Sequence, residues 1–173
     1  MPHLIERASS ARATCRGCGA KIAKGELRFG EQLPNPFADG ENALMTHWFH
    51  LPCAAYRRPE AFIEGIATSE EAVADRAMLE AEAALGVAHR RLPRVSTADH
   101  APTGRATCRA CKNLIDKGAW RIALVFYEEG RFAPSGYVHA TCAKDYFEST
   151  GYRARLKHFS PALTDAELDE IVG

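Results

Sequence analysis

All six cysteines of this chain fall into one pattern that occurs twice. Cys15 and Cys18 form a C-x-x-C, and His50 and Cys53 follow as H-x-x-C. Cys108 and Cys111, then His139 and Cys142, repeat both halves at similar separation. Three thiolates and one imidazole make a closed tetrahedral donor set for Zn²⁺, with no position left open for substrate or a reactive water. Two structural zinc ions are therefore expected, and zinc catalysis is not. A redox reading of C-x-x-C needs a thioredoxin-like βαβ context and free thiols, and the sequence offers neither. His47 has the right donor type, but its spacing from Cys53 is not repeated in the second copy. It is read with His89, His100 and His158 as a surface or linker histidine.

The elements around these ligands must bring each knuckle and its distant H-x-x-C together. At 173 residues the chain allows two small units, each leaning on a metal for part of its folding free energy. The expected fold class is α+β: two tandem zinc-binding units, each a short antiparallel sheet with helices around one structural zinc. Alternation and turn signals place strands at Glu26–Gln32, Leu44–Phe49, Trp120–Tyr127 and Tyr137-Val138. Helices are expected after Pro52-Cys53, over Pro59–Ile66 and over Cys142–Phe147. Another should start at Ser69 with an apolar stripe of Val73, Ala77, Ala81 and Leu85, with Met78 beside it. Thr164-Asp165-Ala166-Glu167 is a capping box opening a final helix whose apolar side carries Leu168, Ile171 and Val172. Leu92–Gly104, with its prolines, Ser and Thr, reads as a linker. The expected division is 1–11 leader, 12–67 first zinc unit, 68–103 helix and linker, and 104–173 second zinc unit with its C-terminal helix.

Formal net charge is zero, with 22 basic and 22 acidic residues, but the charges are not evenly spread. Arg12, Arg16, Lys21, Lys24 and Arg28 crowd the first knuckle. Arg105, Arg109, Lys112, Lys117 and Arg121 repeat this around the second. The compensating acids sit mainly in 60–82 and 165–170. Local basic faces can thus exist on a neutral chain, which keeps a polyanionic partner open.

With these residues in view, the chain resembles the PARP-type zinc-finger family. The first unit carries Arg12, Cys15, Cys18, Lys24-Gly25, Arg28 and His47-Trp48-Phe49-His50-x-x-Cys53. The second carries Gly104-Arg105, Cys108, Cys111, Lys117-Gly118, Arg121, His139 and Cys142. Two departures stand out. Ala11 occupies a position where the family often has Gly, and Gly136-Tyr137-Val138-His139 replaces the aromatic H-W-[YF]-H. The resemblance covers about two thirds of the chain and implies sequence-independent binding to DNA strand breaks, with nicks or short gaps favoured and ends included. It further implies that Arg12 and Arg105 contact one phosphate position and Arg28 and Arg121 another. Arg16 and Arg109, one residue past each leading cysteine, belong to the same expected phosphate faces. Base stacking falls to Phe37, Leu44 and Met45 in the first unit and to Phe132 in the second. Trp48, Phe49 and Trp120 are assigned to core packing.

The expected function is that of a non-enzymatic, zinc-dependent DNA-break-binding protein, the fingers alone standing free of a polymerase or ligase segment. The alternative is a zinc-stabilised protein-interaction adaptor using the acidic helix around 70–85. No apolar run is long enough to span a membrane and the N-terminus lacks a signal-peptide core, so no membrane partner is expected. An intracellular location follows: cytoplasm or nucleoid in a bacterium, nucleus in a eukaryote.

Overall fold

The structure, a computed structural model, describes residues 3–173; they fall into two units, the first ending at Ala88 and the second His89–Gly173. Each has its own three-stranded antiparallel sheet, its own helices and its own Cys₃His cluster. The α+β class expected from sequence is the observed one.

In the first unit, β1 (Leu4–Arg7), β2 (Leu27–Pro34) and β3 (Leu44–His50) lie in that order across the sheet. The leader expected at 1–11 is therefore partly a sheet edge, with Leu4 paired to Gly30 and Arg7 to Leu27. Four residues that mix two apolar and two charged side chains give too short an alternation to announce a strand; the pairing partner supplies the signal. Met1 and Pro2, also placed in that leader, lie outside the described residues.

Three helices follow: α1 (Leu51–Arg57), α2 (Pro59–Ala67) and α3 (Arg76–Ala88). The first two each carry Pro in the first turn, where a missing N–H removes no hydrogen bond. Phe29, Phe49 and Phe62 are fully buried, with Phe29 ring centroids 6.2 Å from Phe49 and 5.8 Å from Phe62. Ile22, Ala54, Ala55 and Ile66 complete this core. Glu31 is buried with them, held by a fork from Arg58 at 3.0 Å through Nε and 2.6 Å through Nη2.

The third helix corrects the sequence reading in start and in face. It begins at Arg76 rather than after Ser69, and its buried residues are Leu79, Ala83 and Gly86. Ala77 and Ala81 of the expected stripe are exposed. Leu79 packs from this face, and the small residues Ala83 and Gly86 one and two turns further on let α3 approach α1 and α2 closely. In a helix this rich in alanine, apolar periodicity alone does not select between two such faces.

The second unit opens with a 3₁₀ turn at Leu92–Arg94 and then β4 (Val95–His100), where a linker was expected. This strand pairs with β5 (Trp120–Glu128), which pairs with β6 (Arg131–His139). Pro93 and the Ser-Thr pair concealed β4, but Pro sits in the turn before it and Val95 is buried. The 68–103 segment is thus α3 followed by a sheet edge. After a 3₁₀ turn at Ala140–Cys142 come α4 (Ala143–Phe147), α5 (Tyr152–Phe159) and α6 (Asp165–Val172). Thr164 Oγ1 accepts from the Glu167 N–H at 3.2 Å, and the Thr164 N–H donates to the Glu167 carboxylate at 2.8 Å. Leu168 and Ile171 are buried beneath that capping box. Ile115, Ile122, Leu124, Val138, Phe147 and Leu156 form the core.

Candidate zinc centres and nucleic-acid interface

Each knuckle is a short turn closed by backbone bonds. The Cys15 N–H donates to the Ala20 carbonyl at 2.8 Å, and the Cys108 N–H to the Asn113 carbonyl at 2.8 Å. Both turns need a left-handed residue directly after the second cysteine. In the first this is Gly19, with φ 78°; in the second it is Lys112, with φ 66°, whose ammonium bonds the Arg109 carbonyl at 2.8 Å. The last residue of β3 then delivers His50 and the first turn of α1 delivers Cys53; β6 and the following turn deliver His139 and Cys142.

The donor atoms of Cys15, Cys18, His50 and Cys53 lie within 4.8 Å of one another, as do those of Cys108, Cys111, His139 and Cys142. His50 Nε2–H donates to the Lys21 carbonyl at 3.2 Å, which turns Nδ1 toward the sulfurs, 3.4 Å from Cys18 Sγ and 3.9 Å from Cys53 Sγ. His139 does the same with the Leu114 carbonyl at 3.2 Å, its Nδ1 3.4 Å from Cys111 Sγ and 3.7 Å from Cys142 Sγ. Tetrahedral zinc with ordinary Zn–S and Zn–N bonds sets such nitrogen and sulfur donors about 3.6 Å apart. A histidine whose second nitrogen is held by a carbonyl is the usual arrangement of a zinc-bound imidazole.

Thiol electrostatics point the same way. A hydrogen bond with Cys53 draws Cys15 down to about 4, helped by the N–H groups of His50, Cys18 and Gly17 against the cost of burial. The same hydrogen bond and burial drive Cys53 upward. In the second cluster burial opposes ionisation of Cys108, but the N–H groups of Cys111, His139 and Ala110 bring it to about 6. Cys142, desolvated beside it, is pushed up to about 11. One thiolate in each cluster thus inhibits the next, and a bound divalent cation removes that conflict. Both quartets suit zinc.

Outside the clusters the expected basic residues separate into two groups. Arg12, Arg16, Arg105 and Arg109 are exposed on the knuckles. The Arg109 stem lies over Gly136, where an added Cβ would come within 2.9 Å of Nε. Arg28 and Arg121 are only 7% exposed. Arg28 lies flat on the Trp48 ring, 3.6 Å from its centroid, and donates Nη2–H to Glu6 at 2.7 Å. Trp48 reaches it by lying across Gly30, where a Cβ would sit 2.7 Å from the ring. Arg121 lies 3.7 Å from the Tyr137 centroid and makes a fork to Asp99 at 2.8 Å and 3.1 Å. The Asp99 hydrogen bond is also the first cause of the raised Arg121 pKa. Glu6 and Asp99, which sequence reasoning missed, become visible only once β1 and β4 are known to be strands in these registers.

The stacking candidates also separate. Phe37 is 93% exposed near the tip of the 35–43 loop, and Leu44 is 44% exposed where β3 begins. Met45 is half-buried beside it. Phe132 does not project from a loop: it lies in β6 opposite Tyr127, with ring centroids 5.0 Å apart. The hairpin turns through Glu129 and Gly130, both with positive φ, which leaves no room for a loop like 35–43. His47 is buried rather than a surface residue, and its Nδ1 has no hydrogen-bond partner. Phe49 is core as expected, whereas Trp48 and Trp120 are half-buried, the latter donating Nε1–H to Glu170 at 3.0 Å.

Fold and site together define a pair of zinc-stapled α+β units with basic knuckles. Residues 6–85 match the model of the Poly(ADP-ribose) polymerase and DNA-Ligase Zn-finger region. Poly [ADP-ribose] polymerase 1 of Gallus gallus is 31% identical over 137 residues, covering 70% of this chain and 13% of that protein. Poly [ADP-ribose] polymerase of Drosophila melanogaster is 28% identical over 142 residues, covering 74% of this chain and 14% of its own length. The polymerase 1 of Caenorhabditis elegans is 40% identical over 53 residues, 31% of this chain and 5% of that protein. Residues 6–85, which hold the first Cys₃His cluster, belong to the PARP-type zinc-finger family. The chain spans only about one seventh of the length of the first relatives it matches. Among the described residues, no helix is long and apolar enough to cross a membrane.

Proposed function

We propose that this chain binds DNA at strand breaks, without regard to sequence and without catalysing a reaction. The observation that carries the proposal is Phe37, a large apolar side chain left 93% exposed beside the loop's turn in a unit of this family. An exposed ring of this kind gains by covering the face of a base pair that a break leaves unstacked. Nothing comparable is offered by the continuous stack of an intact duplex.

Zinc, held by Cys15, Cys18, His50 and Cys53 and by Cys108, Cys111, His139 and Cys142, supplies the cross-link that fixes each knuckle to its sheet. The knuckles then present Arg12 and Arg16, or Arg105 and Arg109, to phosphate. Guanidinium forks match phosphate oxygens in geometry and charge. Arg28 and Arg121 contribute from fixed positions on their aromatic rings. Two joined units gain from effective concentration once one is bound.

Anisotropy titrations of labelled nicked duplex over a salt series test this. Arg12→Ala and Arg105→Ala should each weaken binding by about tenfold and lower the slope of log K against log salt by about one. Salt-insensitive binding, or variants that bind like the wild type, would favour an adaptor whose partner is a protein.

A further inference from the structure

Arg28 and Arg121 share an arrangement that nothing in metal binding requires. Each is covered on one face by an aromatic ring of the third strand and is met edge-on by a carboxylate of the first. The two carboxylates occupy equivalent sheet positions, Glu6 directly opposite Arg28 and Asp99 directly opposite Arg121. The arginine stems are buried, while the Glu6 and Asp99 side chains are 45% and 51% exposed.

We infer that Glu6 and Asp99 are resident counter-anions that compete with DNA phosphate for Arg28 and Arg121, and so limit how tightly each unit holds DNA. The inference rests on the DNA-binding reading above. An arginine stacked on Trp48 or Tyr137 cannot swing out to a ligand, so phosphate has to come to it. On arrival it meets a guanidinium whose charge is already matched by a carboxylate at hydrogen-bond distance. A matched pair attracts a polyanion weakly and releases few counterions when the polyanion binds.

The two units differ in how firmly they are held. Glu6 takes a single N–H of Arg28, and the buried Arg28 Nε has no partner. Asp99 takes both Nε–H and Nη2–H of Arg121 in a fork. Bidentate pairs are the stronger and geometrically stricter ones. The first unit is therefore the readier to accept phosphate, and the second is the more strongly restrained. Contacts made only at a break, such as Phe37 on an exposed base pair, can offset that restraint; simple electrostatic attraction to intact duplex does so less well. The carboxylates thus favour breaks by weakening everything else.

The test uses the full zinc-loaded chain with nicked and intact duplex across a salt series. Glu6→Gln should tighten binding about twofold to threefold and Asp99→Asn about fivefold to tenfold. Each should steepen the salt slope by about one, and intact duplex should gain more than nicked. Gln and Asn keep an oxygen to accept from the guanidinium, and zinc content and melting temperature report whether the variants are folded. The gain must vanish when Arg28→Gln or Arg121→Gln is added, which separates competition at the guanidinium from removal of a distant negative charge. Folded Asp99→Asn that binds equally or more weakly, or a gain that survives in the Arg121→Gln background, overturns the inference while leaving the DNA-binding reading intact. Wild-type protein without salt-sensitive DNA binding defeats both.

Discussion

Arg28 stands directly opposite His50 in the β2–β3 register. The second unit repeats this, with Arg121 opposite His139. A buried arginine and the zinc-ligating imidazole thus share one rung of each sheet, and what fixes one fixes the other. Zinc removal should then act on the arginines proposed to meet phosphate as well as on the knuckle. Excess chelator is expected to abolish the cooperative melt of both units by circular dichroism, with two zinc ions released per chain in a metal-indicator assay. Cys15→Ala should release one of them and leave the second unit's melt in place. A chain that keeps its melt after losing both ions would show that the sheets and helices stand without the staple.

Gly30 tests the stack from the other side. Its absent Cβ is the space in which Trp48 lies, and Thr46 Cγ2 also crowds it at 2.9 Å. Gly30→Ala should cost about 1–3 kcal/mol in denaturant unfolding, since ring and strand must move apart. It should also weaken DNA binding while zinc stoichiometry stays at two. An unchanged unfolding midpoint would mean that Trp48 is free to shift.

Phe37 and Phe132 are read alike from the sequence, as stacking residues, yet stand in different physical situations. Phe37→Ala is expected to leave stability within about 0.5 kcal/mol, because an exposed side chain contributes little to folding. Its cost should appear in affinity for nicked DNA, by about tenfold for one lost stacking contact. Phe132→Ala removes a ring packed on Tyr127 and should destabilise the second unit by about 1 kcal/mol with a smaller effect on break binding. Thermal melts and titrations of the two variants, run side by side, decide this; equal effects on binding would return Phe132 to the stacking set.

The zinc ligands were fully legible in the sequence because metal coordination fixes both residue type and spacing, and a duplication repeats them. The principal strands were legible too, since β2, β3 and β5 carry aromatic and branched residues around the clusters. The edge strands were not. Leu4–Arg7 and Val95–His100 are short and partly polar, and they become strands through pairing with β2 and β5. With them went Glu6 and Asp99, whose importance depends on register alone. His47 was misread for a related reason: its face in β3 follows from His50 and Phe49, yet its burial comes from helices packed against the sheet.

His47 should make the stability of the first unit depend on pH. Burial, followed by the charge of Arg16, lowers its pKa below 6.5, with Arg58 adding to this and Glu31 opposing it. Above 6.5 the imidazole is neutral in folded and unfolded chains and the unit has its full stability. As pH falls below 6.5 the unfolded state takes up a proton that the folded state resists, so stability declines until the lower folded value is passed. His47→Leu should lose less stability between pH 7.5 and 6 than the wild type, in melts followed by circular dichroism with zinc content monitored. Parallel losses in the two proteins would assign the pH dependence to other groups.

The central claim is that the exposed apolar loop and the basic knuckles together read an interruption in a duplex. The most direct measurement is one titration of the zinc-loaded chain against the same duplex in three forms: intact, nicked, and with a short gap. Nicked and gapped DNA are expected to bind at least about tenfold more tightly than intact duplex at physiological salt, as one stacked base pair would supply. Equal affinity for all three forms would contradict the account.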